Sequence, residues 1–183
     1  MRNIIAIAGF LLSASLVAGA PKLVYVKKDN RERTIVASLE ASGLPTLRGT
    51  WYYIGRFDNQ NGEGFDTVYP PEKEIDLTKT YTGKDEEKVK WQEFKRFRIA
   101  RVNDLKLFRQ NAYACIYLFH EVEVKEETVL PISLGSDDTL TLWLNGERLV
   151  AENVHRAAAP DQSQTVLKLK PGKNRMIYFT RSN

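Results

Sequence analysis

One cysteine in 183 residues cannot make an internal disulfide, so no covalent staple holds this chain and the fold must rest on an ordinary core. Two histidines and that lone Cys115 leave no Cys or His spacing of the kind a metal centre needs. No G-x-S-x-G or H-E-x-x-H pattern occurs either. Catalytic options then shrink to a carboxylate pair. The neighbours Asp137 and Asp138 are poor geometry for an acid and a base flanking one glycosidic bond, so an enzyme is not expected. Charge of one sign is also lacking: 27 Lys and Arg stand against 23 Asp and Glu, a formal net charge of +4. That balance is too mild and too mixed for nucleic acid, and Lys27-Lys28 and Lys95-Arg96-Phe97-Arg98 read as solvated surface among acidic neighbours. Internal repeats and low-complexity tracts are absent.

The chain has one long apolar run, Ile4 to Val17, preceded by Arg2 and followed by Ala18-Gly19-Ala20. A positive start, a short apolar stretch and an A-x-A site make a secretory leader, and the run is too short for a spanning helix. Residues 1–20 are expected to be cut away and to stand outside the fold, with Pro21 moving the cut by a residue or two. The product is expected to be secreted or periplasmic, with no membrane span, and losing Arg2 lowers the net charge by one. What remains is the size of one domain. It divides into a helical lead-in and linker, 21–49, and a β-sandwich, 50–183.

Within the lead-in, Lys22–Val26 could be a short edge strand. Asn30 is placed to cap a helix over Arg31–Ser42, where Ile35, Val36 and Leu39 share a face and Gly43 ends it. Beyond the linker the signals are strands. Thr128 to Val150 reads as three strands joined by two turns, Gly135–Asp138 and Asn145-Gly146. The second is the strongest short hairpin signal, since a type I′ turn needs positive φ at both central residues. Leu140, Leu142 and Leu144 alternate onto one face, which is expected to be core. Trp51–Ile54, Val89–Phe97, Ala112–Val124, Thr165–Leu169 and Arg175–Thr180 are further strand candidates, and Leu105–Phe108 is ambiguous. Phe57–Pro71 is expected to be a long ordered loop. It is not an EF-hand, because no register supplies both the first Asp and the twelfth Glu. Ile75–Glu87 reads as further loop with Gly83-Lys84-Asp85 at its tip. Many short strands and one helix indicate an all-β sandwich.

If successive strands reverse direction, their turns alternate between the two ends. That would bring the Asn153–Gln164 loop to the end carrying Gly135–Asp138, gathering Asp137, Asp138, His155, Arg156, Asp161 and Gln162. Two readings compete for the aspartates: a hard-cation site, since Ca²⁺ takes carboxylate and carbonyl oxygens on a loop, or turn formers that bond their own backbone. His155 and Arg156 lie in a loop, where ligand contact is more common, and Arg offers a planar fork of donors. His120 sits in an apolar strand and reads as structural. Cys115 reads as a buried thiol. Trp143 points away from the leucine face, either as a sugar-stacking platform or covered by a second layer such as the Arg31–Ser42 helix. Trp51 and Trp91 lean to core.

WYYIGRFDN (51–59), GFDTVYPPEKEIDL (64–77), GSDDTLTLWLNGERLV (135–150), HRAAAPDQ (155–162) and LKPGKNRM (169–176) together resemble a family of secreted galactose-binding-domain-like, jelly-roll β-sandwich modules of planctomycete type, from Trp51 to the end of the chain. The SDD hairpin also resembles that of PA14 domains, some of which hold calcium through two aspartates joined by a cis peptide. The resemblance implies a non-catalytic carbohydrate-binding module with Asp137 and Asp138 on calcium. The alternative is a structural or protein-interaction sandwich of a cell-envelope complex with no sugar ligand. Two departures stand out: Arg56 occupies a position where the pattern has proline, and no glycine-aromatic segment and further strand follow Asn183.

Overall fold

In a computed structural model of the chain, residues 4–9, 31–99, 102–104 and 113–182 are described. The expectations for Lys22–Val26, Asn30 and Leu105–Phe108, like residues 10–20 of the leader, lie outside them. The elements in chain order are β1 (Ile4–Gly9), α1 (Arg31–Ala41), β2 (Trp51–Asp58), α2 (Pro70–Lys73), β3 (Thr80–Thr82), β4 (Lys88–Lys90), β5 (Gln92–Glu93), β6 (Val102–Asp104), β7 (Ala114–Val124), β8 (Thr128–Asp137), β9 (Leu140–Leu144), β10 (Glu147–Glu152), β11 (Ser163–Leu169) and β12 (Gly172–Arg181). Short 3-10 turns sit at Gln60–Phe65 and Lys84–Glu86.

The strands make two main antiparallel sheets that face each other across a shared core. One has the order β10-β9-β12-β7-β2-β5, the other β11-β8-β1-β6, and β3 and β4 form a separate hairpin. Leu130, Ile132, Leu134 and Leu167 of the smaller sheet meet Leu118, Leu140, Leu142, Met176 and Tyr178 of the larger one in a single buried cluster. The period-two alternation of Leu140, Leu142 and Leu144 delivers all three to this cluster, as the sequence implies. The helix stripe Ile35 and Leu39 joins it. Helix α1 ends where Gly43 takes φ +67°: Leu44 N–H donates to Leu39 C=O and Gly43 N–H to Glu40 C=O, a Schellman arrangement.

The larger sheet is covered on its other face as well. Ile54, Phe57, Cys115, Tyr117, Phe119, Ile177 and Phe179 form a second buried cluster. Its cover is the segment between β2 and β5, through Phe65, Tyr69, Ile75, Tyr81, Val89 and Trp91. Hence β7 is apolar on both faces in its first half, a two-sided burial that its sequence shows. Trp143 belongs to this outer cluster, half-buried beside Tyr117. It does have a second layer, but not α1, which packs on the opposite face of the sheet. Trp91 and Trp51 are both buried.

Three expectations need correction. Val89–Phe97 is not one strand. Val89 and Trp91 enter the outer cluster whereas Phe94 and Phe97 enter the inner one, so the chain must turn around the sheet edge between them and breaks into β4, β5 and a turn. Ile75–Glu87 carries a strand, β3, whose hairpin with β4 is tipped by residues 83–87, with Gly83 N–H on Glu87 C=O. Thr128–Val150 is not a three-stranded meander: β8 pairs with β11 and β1, whereas β9 pairs with β10 and β12. Gly135, Ser136 and Asp137 remain inside β8, and the chain changes sheets at Asp138-Thr139. Asn145-Gly146, with φ of 52° and 86°, closes the β9–β10 hairpin as its sequence requires.

The N-terminal strand also departs from expectation. In the full chain Ile4–Gly9 does not stand outside the fold: it lies between β8 and β6 and pairs with both.

Candidate functional site

The direction reversals assumed for hairpins hold equally for arches between sheets, so the alternation of loop ends survives the corrected topology. The Asp138 carboxylate, almost fully buried, takes two donors from the 153–162 loop. His155 Nδ1 lies 3.0 Å from Asp138 Oδ1, and the Arg156 backbone N–H donates to the same oxygen at 3.0 Å. A buried carboxylate holding two N–H groups is a charge-assisted anchor. On its other side the Asp138 N–H donates to Arg181 C=O, which ties the sheet-switching corner to the end of β12.

The Arg156 side chain closes the loop against β8. Its Nη1 lies 3.0 Å from Glu152 Oε2, and its Nη2 donates to Ser136 Oγ at 2.8 Å. Ser163 Oγ donates to the same Glu152 oxygen at 2.6 Å, while Ser136 Oγ donates to Asp138 C=O at 2.7 Å. Gln162 works from the other end of the loop: its Oε1 accepts Ser136 N–H at 3.0 Å and its Nε2 donates to Ala157 C=O at 2.8 Å. Asp161 accepts from Ser133 Oγ. Asp138, His155, Arg156, Asp161 and Gln162 therefore all come together on β8, and Asp137 precedes Asp138 at its end.

The arrangement works as a clamp. Gly135 sits where the loop crosses β8, and a Cβ there would overlap the Ala159 carbonyl, which is the reason only glycine fits at this point in the strand. Asp137 differs from its neighbour. It is half-buried, and its carboxyl is pushed above the ordinary range by burial and then by the Asp138 charge, with the Ala158 backbone and His155 pulling the other way. The peptide bonds Asp137–Asp138 and Gly55–Arg56 are both cis. Among the described residues no three His, Cys, Asp or Glu side chains are grouped so as to hold a metal ion. A cation at Asp137 would need main-chain carbonyls or solvent for its remaining ligands.

Sequence reasoning missed Glu152, Ser133, Ser136 and Ser163. Glu152 was within reach of it, since it stands four residues before Arg156. The three serines were not, because their role depends on which strands adjoin.

Elsewhere the chemistry-bearing residues are structural. The His120 ring stacks on Trp51 at 4.6 Å, and Trp51 stacks on Phe97 at 4.0 Å. Nδ1 of His120 lies 3.0 Å from Thr50 C=O, and burial pushes its imidazole below its ordinary pKa. Cys115 is fully buried, with its thiol pushed up strongly by desolvation, as an inert core thiol should be. Arg56 is also buried, and its Nη2 lies 2.8 Å from Glu87 Oε2 and 3.7 Å from Asp85. Tyr117 donates to Glu72, and burial raises the Tyr69 phenol to about 12. Compared with known proteins, the chain matches no family model, no curated protein and no solved structure.

Proposed function

We propose that this is a non-catalytic interaction module of the cell envelope or the secreted fraction, built on a galactose-binding-like jelly roll and delivered by the leader in residues 1–20. The observation that carries the reading is an apolar strip on the outer face of the smaller sheet. Val129 is 61 % exposed and Val166 41 % exposed. Half-buried Pro131 lies between them, paired directly with Val166 and two residues from Val129 on the same face. Along β8 the other half of that face is roofed by the 153–162 loop, so among the described residues of β8 and β11 the strip is left open to a partner. The polar cluster meanwhile spends donors and acceptors on its own loop, as a clamp does and as a ligand site avoids.

A carbohydrate-binding reading is favoured by a different observation. Half-buried Asp137 and the 69 % exposed His155 side chain stand together at the rim, where calcium and sugar hydroxyls would find a carboxylate and an imidazole. One comparison separates the two readings. The processed protein and its Val129→Glu/Val166→Glu variant are cross-linked in an envelope fraction and screened on glycans with calcium and with chelator. The interaction reading expects a defined cross-linked species that the variant loses with its thermal midpoint unchanged. Calcium-dependent glycan binding that survives in that variant, with no such species, overturns it in favour of sugar.

A further inference from the structure

Strand β8 is paired along both edges, and the two sides differ in kind. Toward β11 it pairs from Thr128 to Leu134 with Leu169 to Ser163. Toward the interior of the sheet its residues Ile132 to Asp137 pair antiparallel with Gly9 to Ile4, and three of those residues pair onward with Asp104 to Val102. The strand in this slot belongs to the stretch that composition marks as a removable leader. Taking it away would leave the backbone N–H and C=O groups of every second residue of Ile132–Asp137, those that face β1, open along one edge, beside the fully buried side chains of Ile132 and Leu134. Buried main-chain groups left unpaired are costly, and an open strand edge is a template for another strand.

We infer that the slot between β8 and β6 is a strand-acceptor site, which takes an extended, uncharged segment of a second polypeptide once the leader has gone. This rests on the leader reading given above. The chain's own segment shows the chemistry the slot accepts: IIAIAG, six residues with no charge and no proline. The register sets Ile5 and Ile7 opposite Ser136 and Leu134, and Ala6 and Ala8 opposite Gly135 and Ser133. Gly135 and Ser133 are the positions roofed by Ala159 and Asp161. A donor is therefore specified as alternating branched aliphatic and small residues, bound by main-chain hydrogen bonds as in other strand additions. The site is separate from the Val129/Val166 strip, which lies on a face of the sheet and not along a strand edge.

The test begins with the intact mass of the exported chain, followed by hydrogen exchange at residues 132–137 with and without a synthetic peptide of residues 2–10. In the processed chain the amides that face β1, those of Ser133, Gly135 and Asp137, are expected to exchange fast, whereas Ser136 N–H stays on Gln162. The peptide should slow them about a hundredfold at a concentration about a hundred times its Kd, and raise the thermal midpoint. The same peptide carrying Ala6→Pro, which lacks the N–H that faces Gly135 across the ladder, should do neither. A chain that keeps Met1 overturns the leader reading and the inference with it. A processed chain that protects 132–137 unaided and ignores the peptide overturns the inference alone. Should the processed chain fail to fold, the full chain carrying Ala6→Pro replaces it. Fast exchange at Ser133, Gly135 and Asp137 that the wild-type peptide slows supports the site, and unchanged protection overturns it.

Discussion

Single residues at the clamp have separable effects. Asp138 holds two donors in a nearly fully buried position, but the His155 ring is exposed enough to bond water instead. Asp138→Ala should therefore cost about 2 kcal/mol, the worth of one hydrogen bond to a charged group (about 1.5–3 kcal/mol). For a domain of this size that corresponds to a midpoint lowered by roughly 4–8 °C. Asp138→Asn keeps an acceptor oxygen and should lose less, which differential scanning calorimetry can resolve. Asp137 should behave oppositely. Its folded pKa is raised, so its contribution to stability is present at acid pH and is lost as pH rises past its ordinary value. Asp137→Asn removes that penalty and should raise the midpoint at neutral pH. Added calcium should lift the wild type but not this variant if the carbohydrate reading holds. His120 has the remaining sign. Its folded pKa is depressed by burial, so the neutral ring supports the fold above about 6.5, and that support fades as pH falls and the unfolded chain takes up a proton. A His120→Phe variant should show a flatter midpoint between pH 7 and 5 than the wild type.

At the scale of elements, β8 and the 153–162 loop form one unit, and Gly135 is the place to test it. Gly135→Ala forces a methyl group against the Ala159 carbonyl and should cost about 1–3 kcal/mol, the usual range for overpacking. Hydrogen exchange should quicken across residues 157–162 and leave the Asn145-Gly146 hairpin unchanged. Equal acceleration at both places would mean that the loop is not clamped locally. The strands that announced themselves in sequence were those governed by neighbours: Leu140–Leu144 by alternation, Asn145-Gly146 by φ, and the end of α1 by Gly43. Val89–Phe97 misled because alternation is counted along a chain, whereas Trp91 and Phe94 are separated by the thickness of a sheet. Gly135–Asp138 misled for a related reason. The same short polar residues suit a hairpin turn and a corner between sheets, and the difference lies in which strands adjoin.

The described residues stack in three layers: the smaller sheet, the larger sheet, and the segment from Asn59 to Trp91 that roofs the larger sheet's outer face. Cys115 lies under that roof. Its Sγ is 3.4 Å from Asp58 C=O, and Gly64 packs so close that a Cβ there would overlap the sulfur. An alkylating reagent should therefore leave native Cys115 untouched and modify it fully in denaturant. Labelling under native conditions would show that the roof opens independently of the sandwich. From the amino acids in order one can read an all-β chain without covalent staples, its strongest hairpin, its helix with both its face and its end, the buried thiol and the structural histidine. These depend on composition and on contacts a few residues apart, where backbone preference and periodicity act directly. Spatial adjacency of distant segments accounts for the rest: β1 in the slot of β8, the roof over Trp143, the change of sheet at Asp138 and the serines that bind Arg156. Such contacts are set by how two sheets and a loop cover the same apolar faces, a global minimisation of exposed surface that no local pattern encodes.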